Sequence, residues 1–310
     1  MTDAPHDEIV GGVGGLDPEL SPPFEIFGAP AGGSPLVFSS PHSGNVYPAR
    51  FLEASRLDPL TLRRSEDAYV DDLFSGAAKV GAPLLRARFP RAFLDLNREP
   101  WEFDPKVFSE PLPGFANTRS LRVAAGLGTI PRVVSDARAI YREPLALAEG
   151  VLRVETLYVP YHAALRTLME AAAARFGAAV LIDCHSMPAA SAKETRGGER
   201  RALDFVIGDR FGASAAPGIV EVIERRLKGF GYAVQRNRPY AGGYITEHYG
   251  RPGQGWHAVQ IETSRSLYMN EQTLERNPRF DEVRAHLDMV AADLAEALAA
   301  TGEELRDAAE

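Results

Sequence analysis

Apolar residues follow two patterns along this chain, short continuous runs and longer segments in which they recur at helical spacing. The short runs have the length of buried strands and stop at polar or turn-forming residues. We predict strands at Leu36–Ser40, Ala82–Arg88, Ala92–Leu96, Val180–Asp183, Asp204–Gly208, Ala233–Arg236 and Ala258–Thr263. We predict helices at about Ser65–Val80, Val151–Phe176, Gly218–Phe230 and Asn277–Ala300. Strands that alternate with helices in this way predict an α/β fold.

The alternation continues over most of the chain without an internal repeat or a long polar linker. We therefore predict one domain over residues 23–310, a three-layer sandwich in which helices cover a central mixed, mostly parallel sheet. Residues 1–22 carry several acidic side chains among glycines and prolines. They lack the basic start and apolar stretch of a signal peptide. We expect them to form a mobile N-terminal tail.

The composition is that of an ordinary globular protein, with 310 residues, 45% of them hydrophobic and 25% charged. The net charge of −8 argues against nucleic acid or an anionic membrane as the main partner. No apolar run approaches the roughly 20 residues of a membrane span. Cys184 is the only cysteine, so no disulfide can form within the chain, and we expect a cytoplasmic protein.

Two of the predicted strands are followed by a histidine. The apolar run Val180–Asp183 leads into Cys184 and His185, and the run Leu36–Ser40 leads into Pro41 and His42. Open α/β sheets place their chemistry at the carboxyl ends of their strands. Two histidines in this position suggest a metal site, and the alternative is two unrelated histidines with structural hydrogen bonds.

Glu66 and Asp67 are candidates for a third metal ligand. Both lie in the predicted first turn of the helix that Ser65 could cap, where carboxylates are often only surface groups that interact favourably with the helix dipole. Together with His42 and His185, either carboxylate would complete a site of two histidines and one carboxylate with an open position for water. The residues alone do not choose between Glu66 and Asp67.

Two further polar groups follow or end apolar strands. Arg98 offers a planar, always-charged fork that suits a substrate carboxylate, and Asn97 could hydrogen-bond the same group. A structural salt bridge is the alternative for Arg98. Glu262 lies in or at the end of an apolar strand, where burying an unpaired carboxylate is costly. It is the best general-base candidate in the chain, and a satisfied ion pair is the alternative.

In this order along the chain, these segments resemble the N-formylglutamate amidohydrolase (N-formylglutamate deformylase) family, which is distantly similar in its site to the zinc carboxypeptidases. The resemblance extends from about Pro41 to Glu271. It rests on Pro41–Gly44, Asp67–Leu73, Asp95–Arg98, Pro160–His162, Asp183–Ser186, Gly242–Gly250 and His257–Glu262.

The resemblance implies a carboxypeptidase-like sandwich and a role for each matching residue. The metal ligands would be His42, Asp67 and His185, with Glu66 as the rival for the carboxylate position. Asn97 and Arg98 would bind the substrate carboxylate, and Glu262 would be the general base.

Three further candidates belong to this implied site. The turn at Gly242 and Gly243 permits close approach of the backbone to a ligand, and Tyr244 would then project into the site. Arg138 is a candidate to polarise the amide oxygen.

The hypothesis that follows is a metal-dependent amidohydrolase. A divalent ion, zinc in the first instance, would lower the pKa of a water, and Glu262 would act as the base. The expected substrate is a small N-acyl amino acid with a carboxylate, foremost N-formyl-L-glutamate, which would yield formate and L-glutamate. The alternatives are the same chemistry on another N-acyl amino acid or a short peptide, a non-haem iron oxygenase, and a non-catalytic binding protein.

Overall fold

The computed structural model describes residues 17–28, 33–134, 137–191, 193–196 and 199–307, with the side chains of 193–201 and 301–307 left aside. The strands are β1 (Phe24–Phe27), β2 (Leu36–Ser40), β3 (Leu84–Ala87), β4 (Ala179–Met187), β5 (Lys193–Arg196), β6 (Glu199–Ala202), β7 (Phe205–Gly208), β8 (Val234–Arg236) and β9 (Trp256–Ser264). The helices are α1 (Ala49–Ala54), α2 (Pro59–Arg63), α3 (Val70–Leu73), α4 (Leu121–Ala124), α5 (Leu147–Arg153), α6 (Val159–Phe176), α7 (Pro217–Gly229), α8 (Tyr244–Tyr249) and α9 (Phe280–Asp307). A π-helical turn, Val154–Tyr158, joins α5 to α6. Short 3₁₀ helices lie at Pro18–Leu20, Ser75–Val80, Pro105–Val107, Pro252–Gln254 and Arg265–Leu267.

Seven strands form one sheet in the order β1-β3-β2-β4-β9-β7-β8. The pairs β3–β2, β2–β4, β4–β9 and β7–β8 are parallel, and the pairs β1–β3 and β9–β7 are antiparallel. Strands β5 and β6 form a separate antiparallel pair. The sheet is therefore mixed and mostly parallel, as predicted.

Helices cover both faces of this sheet, and each face has its own hydrophobic core. Val180, Ile182 and Cys184 of β4 belong to one core, which includes residues of α7 and α9. Ala179 and Leu181 belong to the other core, which includes residues of α6. This alternation is the two-residue period of a strand, and burial on both faces explains why β4 is apolar without interruption. The predicted three-layer α/β sandwich is confirmed.

Strand β4 is longer than its apolar run, because it pairs with β9 over nine residues, from Ala179 opposite Trp256 to Met187 opposite Ser264. His185 is consequently inside a strand, not after one. The predicted strand Ala92–Leu96 is wrong. This segment forms turns, in which Phe93 N–H donates a hydrogen bond to Pro90 O at 2.9 Å. Its residues are apolar because the segment is buried.

The predicted helix Ser65–Val80 is helical only in parts in the structure. Only α3 and the 3₁₀ helix Ser75–Val80 are helical, because Tyr69 takes a left-handed backbone conformation with φ of 65°. Ser65 does not cap a helix and instead donates from Oγ to Leu62 O at 2.8 Å.

Residues before the predicted boundary at residue 23 are packed against the domain. Leu20 is fully buried, and Arg50 donates to both oxygens of Asp17. Residues 1–16 of the expected tail lie outside the described residues. Among the described helices, none combines the length and apolar character needed to cross a membrane.

The central position of β4 predicts a large cost for truncating its core side chains. Leu181 is fully buried, so Leu181→Ala should lower the free energy of unfolding by about 2–5 kcal/mol, measured by urea denaturation. Leu121→Ala makes the same chemical change at a side chain that is 89% exposed, and it should have little effect. Equal costs for the two substitutions would contradict the position assigned to β4.

Candidate active site

His42, Asp67 and His185 meet at the carboxyl ends of β2 and β4. Each is buried, and their possible ligand atoms all lie within 4.8 Å of one another. Asp67 Oδ2 is 3.4 Å from His42 Nδ1 and 3.1 Å from His185 Nδ1. Two histidines and one carboxylate are thus directed towards one small volume.

The local backbone brings these three residues together. His42 lies in the turn after β2, and its carbonyl accepts a 3.0 Å hydrogen bond from Asp67 N–H, which ties the two loops to each other. Gly44 allows that turn to lie against the neighbouring chain, since a Cβ there would be 2.1 Å from Phe89 O. The left-handed Tyr69 then turns the chain from Asp67 into α3.

Each histidine contacts a buried carboxylate on its other ring nitrogen. His42 Nε2 is 2.8 Å from Asp95 Oδ1, and His185 Nε2 is 3.0 Å from Asp183 Oδ1. Metal-binding histidines usually donate their second N–H to a carboxylate or carbonyl, which orients the ring and makes it a better ligand. Asp95 and Asp183 lie within two of the motifs, and neither had a predicted role.

The remaining oxygen of Asp67 is also held. Oδ1 accepts hydrogen bonds of 3.1 Å from both Ser186 Oγ and Arg265 Nη2. Arg265 in turn donates to Ser186 Oγ and to the carbonyl of Arg64. These bonds fix Asp67 so that Oδ2 is the oxygen presented to the two histidines.

These donors fit a divalent ion. His42 Nδ1 is buried and has no aligned hydrogen bond, although Asp67 is close, so it is an orphaned polar atom directed at the other two groups. Burial alone would raise the pKa of Asp67, but the hydrogen bond from His185 and the proximity of His42 hold that pKa well below its usual range. A charged carboxylate with two imidazole nitrogens is a donor set typical of zinc.

Glu262 stands beside this group because of strand pairing. It is opposite His185 in the β4–β9 register, it is buried, and its Oε1 accepts a 2.8 Å hydrogen bond from Gln260 Nε2. Burial raises the pKa of Glu262 above its ordinary value. His42, His185 and Glu262 all line one cavity of about 530 Å³.

Asn97 and Gly243 form part of the wall of the same cavity. Asn97 Oδ1 accepts a 2.8 Å hydrogen bond from Ile245 N–H at the start of α8, and its Nδ2 is 3.3 Å from His185 Nε2. A Cβ at Gly243 would lie 2.3 Å from Asn97 Nδ2, so the glycine is required for this close contact.

Arg98 lines the cavity as well, but protein acceptors already engage much of its guanidinium. Nε donates to Leu127 O and Nη1 to Asn97 O, both at 2.7 Å, and Nη2 is 3.3 Å from Asp95 Oδ2. The guanidinium is therefore fixed in place, with only part of its hydrogen-bonding capacity available to a ligand.

With this geometry established, comparison with known proteins decides the family. The model of the N-formylglutamate amidohydrolase family matches residues 34–269. The chain belongs to this family. N-formylglutamate deformylase from Pseudomonas aeruginosa is 31% identical over 252 residues, which are 80% of this chain and 87% of that protein. N-formylglutamate deformylase from Pseudomonas putida is 30% identical over 76% of this chain and 82% of that protein.

Solved structures agree with the family assignment. The N-formylglutamate amidohydrolase from Ralstonia eutropha JMP134 has a TM-score of 0.83 and 37% identity, over 90% of this chain and 99% of that one. The product of Agrobacterium tumefaciens Atu2144, at a TM-score of 0.60 and 18% identity over 90% and 95% of the two chains, shares the fold. The predicted family and enzyme class, a hydrolase of an amide carbon–nitrogen bond, are confirmed.

Four residues predicted for the site of this amidohydrolase are not among those that line the cavity, and one of them, Asp67, lies directly behind the two histidines that do. Glu66 accepts hydrogen bonds from Tyr47 Oη and from Arg63, so Asp67 is the carboxylate that meets the histidines. Arg138 is exposed and donates to Thr61 Oγ1 at 3.0 Å. The Tyr244 ring stacks on His248. Glu66 and Arg138 have other partners because side-chain direction after a turn does not follow from spacing.

Four cavity arginines had no role in the sequence analysis of this amidohydrolase: Arg64, Arg91, Arg122 and Arg265. They come from separate loops and short helices, and no motif marks them. The chain has 34 lysines and arginines in total, and the sequence does not indicate which of them line the cavity.

The geometry predicts which carboxylate would bind a divalent ion such as zinc. Asp67→Asn should weaken zinc binding by on the order of a hundredfold or more, because it removes the charged member of the group. Glu66→Gln, one residue earlier and also buried, should leave zinc affinity near that of the unsubstituted protein. Competition with a chromophoric chelator measures both constants. Loss of affinity in Glu66→Gln with affinity retained in Asp67→Asn would contradict the assignment.

Proposed function

We propose that this chain hydrolyses N-formyl-L-glutamate to formate and L-glutamate, with a divalent ion, zinc in the first instance, held by His42, Asp67 and His185. The observation that carries the proposal is the buried group formed by these three residues, of which His42 and His185 line one cavity together with Glu262. Membership of the N-formylglutamate amidohydrolase family and the names of its relatives supply the substrate.

The proposed ion would be held by the neutral imidazoles of His42 and His185 and by the charged carboxylate of Asp67. When bound, such an ion polarises a carbonyl and makes a water molecule more acidic. Asp95 orients the His42 imidazole through a hydrogen bond to Nε2, and Asp183 places a second carboxylate 3.0 Å from Nε2 of His185. Arg265 and Ser186 keep Asp67 in one orientation.

Glu262 is the proposed general base and acid. It accepts a proton from water as the water oxygen attacks the formyl carbon, and it then delivers that proton to the nitrogen as the carbon–nitrogen bond breaks. The raised pKa of this buried carboxyl suits a group that must both take and give a proton. The bond from Gln260 holds the carboxyl in position.

Arg91 is the proposed partner of the negative charge that develops on the formyl oxygen. It lines the cavity, and its Nε donates to Asp95 Oδ2 at 3.0 Å, which fixes it near the buried carboxylates. A preorganised cationic donor in such a position stabilises the transition state more than the ground state. This role, first considered for Arg138, is better placed on Arg91 because Arg138 does not line the cavity.

Asn97 and Arg98 are the proposed contacts for the α-carboxylate of the amino acid. Both side chains line the cavity and are fixed by protein hydrogen bonds. The nitrogens of Arg98 that remain available can donate to a carboxylate without any rearrangement.

The proposal is tested by release of formate and free amino acid from a panel of N-formyl and N-acetyl amino acids. We expect zinc-reconstituted protein to hydrolyse N-formyl-L-glutamate fastest and chelated protein to lose this activity. Fastest hydrolysis of another member would keep the reaction type and change the substrate. No hydrolysis of any member by protein with one bound zinc would contradict the proposal and favour a binding protein.

Substitution of the base separates catalysis from metal binding. Glu262→Gln keeps the shape of the side chain and removes proton transfer, so kcat should fall by about 10²–10⁴-fold while zinc content is unchanged. The exposed Glu53→Gln is the matched control and should retain full activity. A near-normal kcat in zinc-loaded Glu262→Gln would rule out this residue as the base.

A further inference from the structure

The walls of the active-site cavity carry a charge opposite to that of the whole chain. The chain has a net charge of −8. The cavity is nevertheless lined by the acidic side chains of Asp95 and Glu262 and by five arginines, Arg64, Arg91, Arg98, Arg122 and Arg265. This local excess of positive charge favours a ligand with more than one negative charge.

Three of these arginines have strong protein partners. Arg91 donates to Asp95, Arg265 donates to Asp67, and Arg98 is held by Leu127 O, Asn97 O and Asp95. Their positive charge is largely balanced by carboxylates that they hold in place. They are therefore less able than an unpaired arginine to bind a second carboxylate of the substrate.

Arg122 is different because its only carboxylate partner in the described part of the chain, Glu102, forms a long ion pair with it and no hydrogen bond. Its Nη1 is 3.9 Å from Glu102 Oε2, beyond hydrogen-bond range, and its side chain is 35% exposed. Glu102 is itself occupied, since it accepts from Ser120 Oγ and, through Oε2, from Glu99 N–H. Arg122 thus lines the cavity with a guanidinium that has a long ion pair to Glu102 and no hydrogen-bonded partner in the described part of the chain.

The backbone of Arg122 is tied to the Arg98 side chain through one shared residue, Leu127. Leu127 N–H donates to Arg122 O at 2.8 Å, and Leu127 O accepts from Arg98 Nε at 2.7 Å. Two guanidinium groups on one wall repel each other, and an anion bound between or beside them relieves that repulsion. A substrate whose α-carboxylate contacts Arg98 would bring its side chain to this part of the wall.

The Arg64 side chain also has no hydrogen-bonded partner in the described part of the chain. It lines a different part of the cavity from Arg122. It follows α2, and its carbonyl accepts the hydrogen bond from Arg265, which holds Asp67. It is thus linked to the metal-ligand side of the site and has no such link to Asn97 or Arg98. Substitution of Arg64 is therefore a control for the role assigned to Arg122.

We propose that Arg122 binds the side-chain carboxylate of a dicarboxylate substrate and so makes the enzyme selective for acidic amino acids. This inference rests on the proposed function, because it assumes that Asn97 and Arg98 hold the α-carboxylate. Arg122 is then a specificity-determining residue, and it takes no part in the bond-breaking steps.

The experiment compares N-formyl-L-glutamate with N-formyl-L-glutamine, which has nearly the same shape but lacks the second charge. Arg122→Gln should lower kcat/KM for the glutamate substrate by roughly ten- to a hundredfold, the usual loss for a charged hydrogen bond. It should change kcat/KM for the glutamine substrate by less than about threefold. Arg122→Lys should keep part of the preference for the glutamate substrate, because lysine retains the charge but lacks the planar fork.

Two controls make the result specific. Arg119→Gln makes the same change at an exposed arginine three residues earlier that does not line the cavity, and it should leave both substrates unaffected. Arg64→Gln should leave the glutamate-to-glutamine ratio unchanged. An equal loss on both substrates in Arg122→Gln, or a loss of preference in Arg64→Gln alone, would overturn the assignment.

Equilibrium binding separates this inference from the proposed reaction. Titration calorimetry with glutarate and with its monoamide, glutaramate, reports recognition of the second carboxylate without any turnover. Weaker glutarate binding in Arg122→Gln with unchanged glutaramate binding would support the role of Arg122 even if the wild-type protein hydrolysed no N-formyl amino acid. Unchanged binding of both ligands would overturn that role even if N-formylglutamate were hydrolysed.

Discussion

The parallel pairing of β4 with β9 is the constraint on which the site depends. Its nine-residue register places His185 opposite Glu262, and the same register places Asp183 opposite Gln260. A shift of one residue would move all of these side chains to the other face of the sheet. Because Cys184, between Asp183 and His185, lies in a hydrophobic core, that shift would bury polar side chains in the core without their partners, and the register is therefore strongly specified.

The charged groups of the site are stable in this setting because Asp67 and Asp95 are paired with arginines and Asp183 lies beside the His185 ring. Asp67, Asp95 and Asp183 are at most 1% exposed, and an unpaired buried charge would be very costly. Arg265 balances Asp67, while Arg91 and Arg98 balance Asp95. The arrangement leaves the Nδ1 atoms of His42 and His185 and one oxygen of Asp67 facing a common point.

The sequence predicted the parts of this site that depend on strand periodicity. Apolar runs that end in polar residues placed His42, His185 and Glu262 at one edge of a sheet, and these three side chains line one cavity. The choice between Glu66 and Asp67 could not be made in this way, because it depends on a turn with a left-handed Tyr69.

Long-range contacts were the other part that could not be predicted. Asp95 meets His42 across 53 positions of the chain, and Arg265 meets Asp67 across 198. Ala92–Leu96 resembled a strand because a buried turn and a buried strand have the same apolar composition. Arg138 and Tyr244 were given site roles from motif position alone, and the direction of their side chains is set by packing with Thr61 and His248.

The central claim is that one ion is held by His42, Asp67 and His185 next to Glu262. Anomalous diffraction at the zinc absorption edge, on crystals of zinc-reconstituted protein, tests it most directly. The account predicts one strong peak per chain, enclosed by these three side chains and facing the cavity that Glu262 lines. A strong peak at other residues, with none among these three, would contradict it.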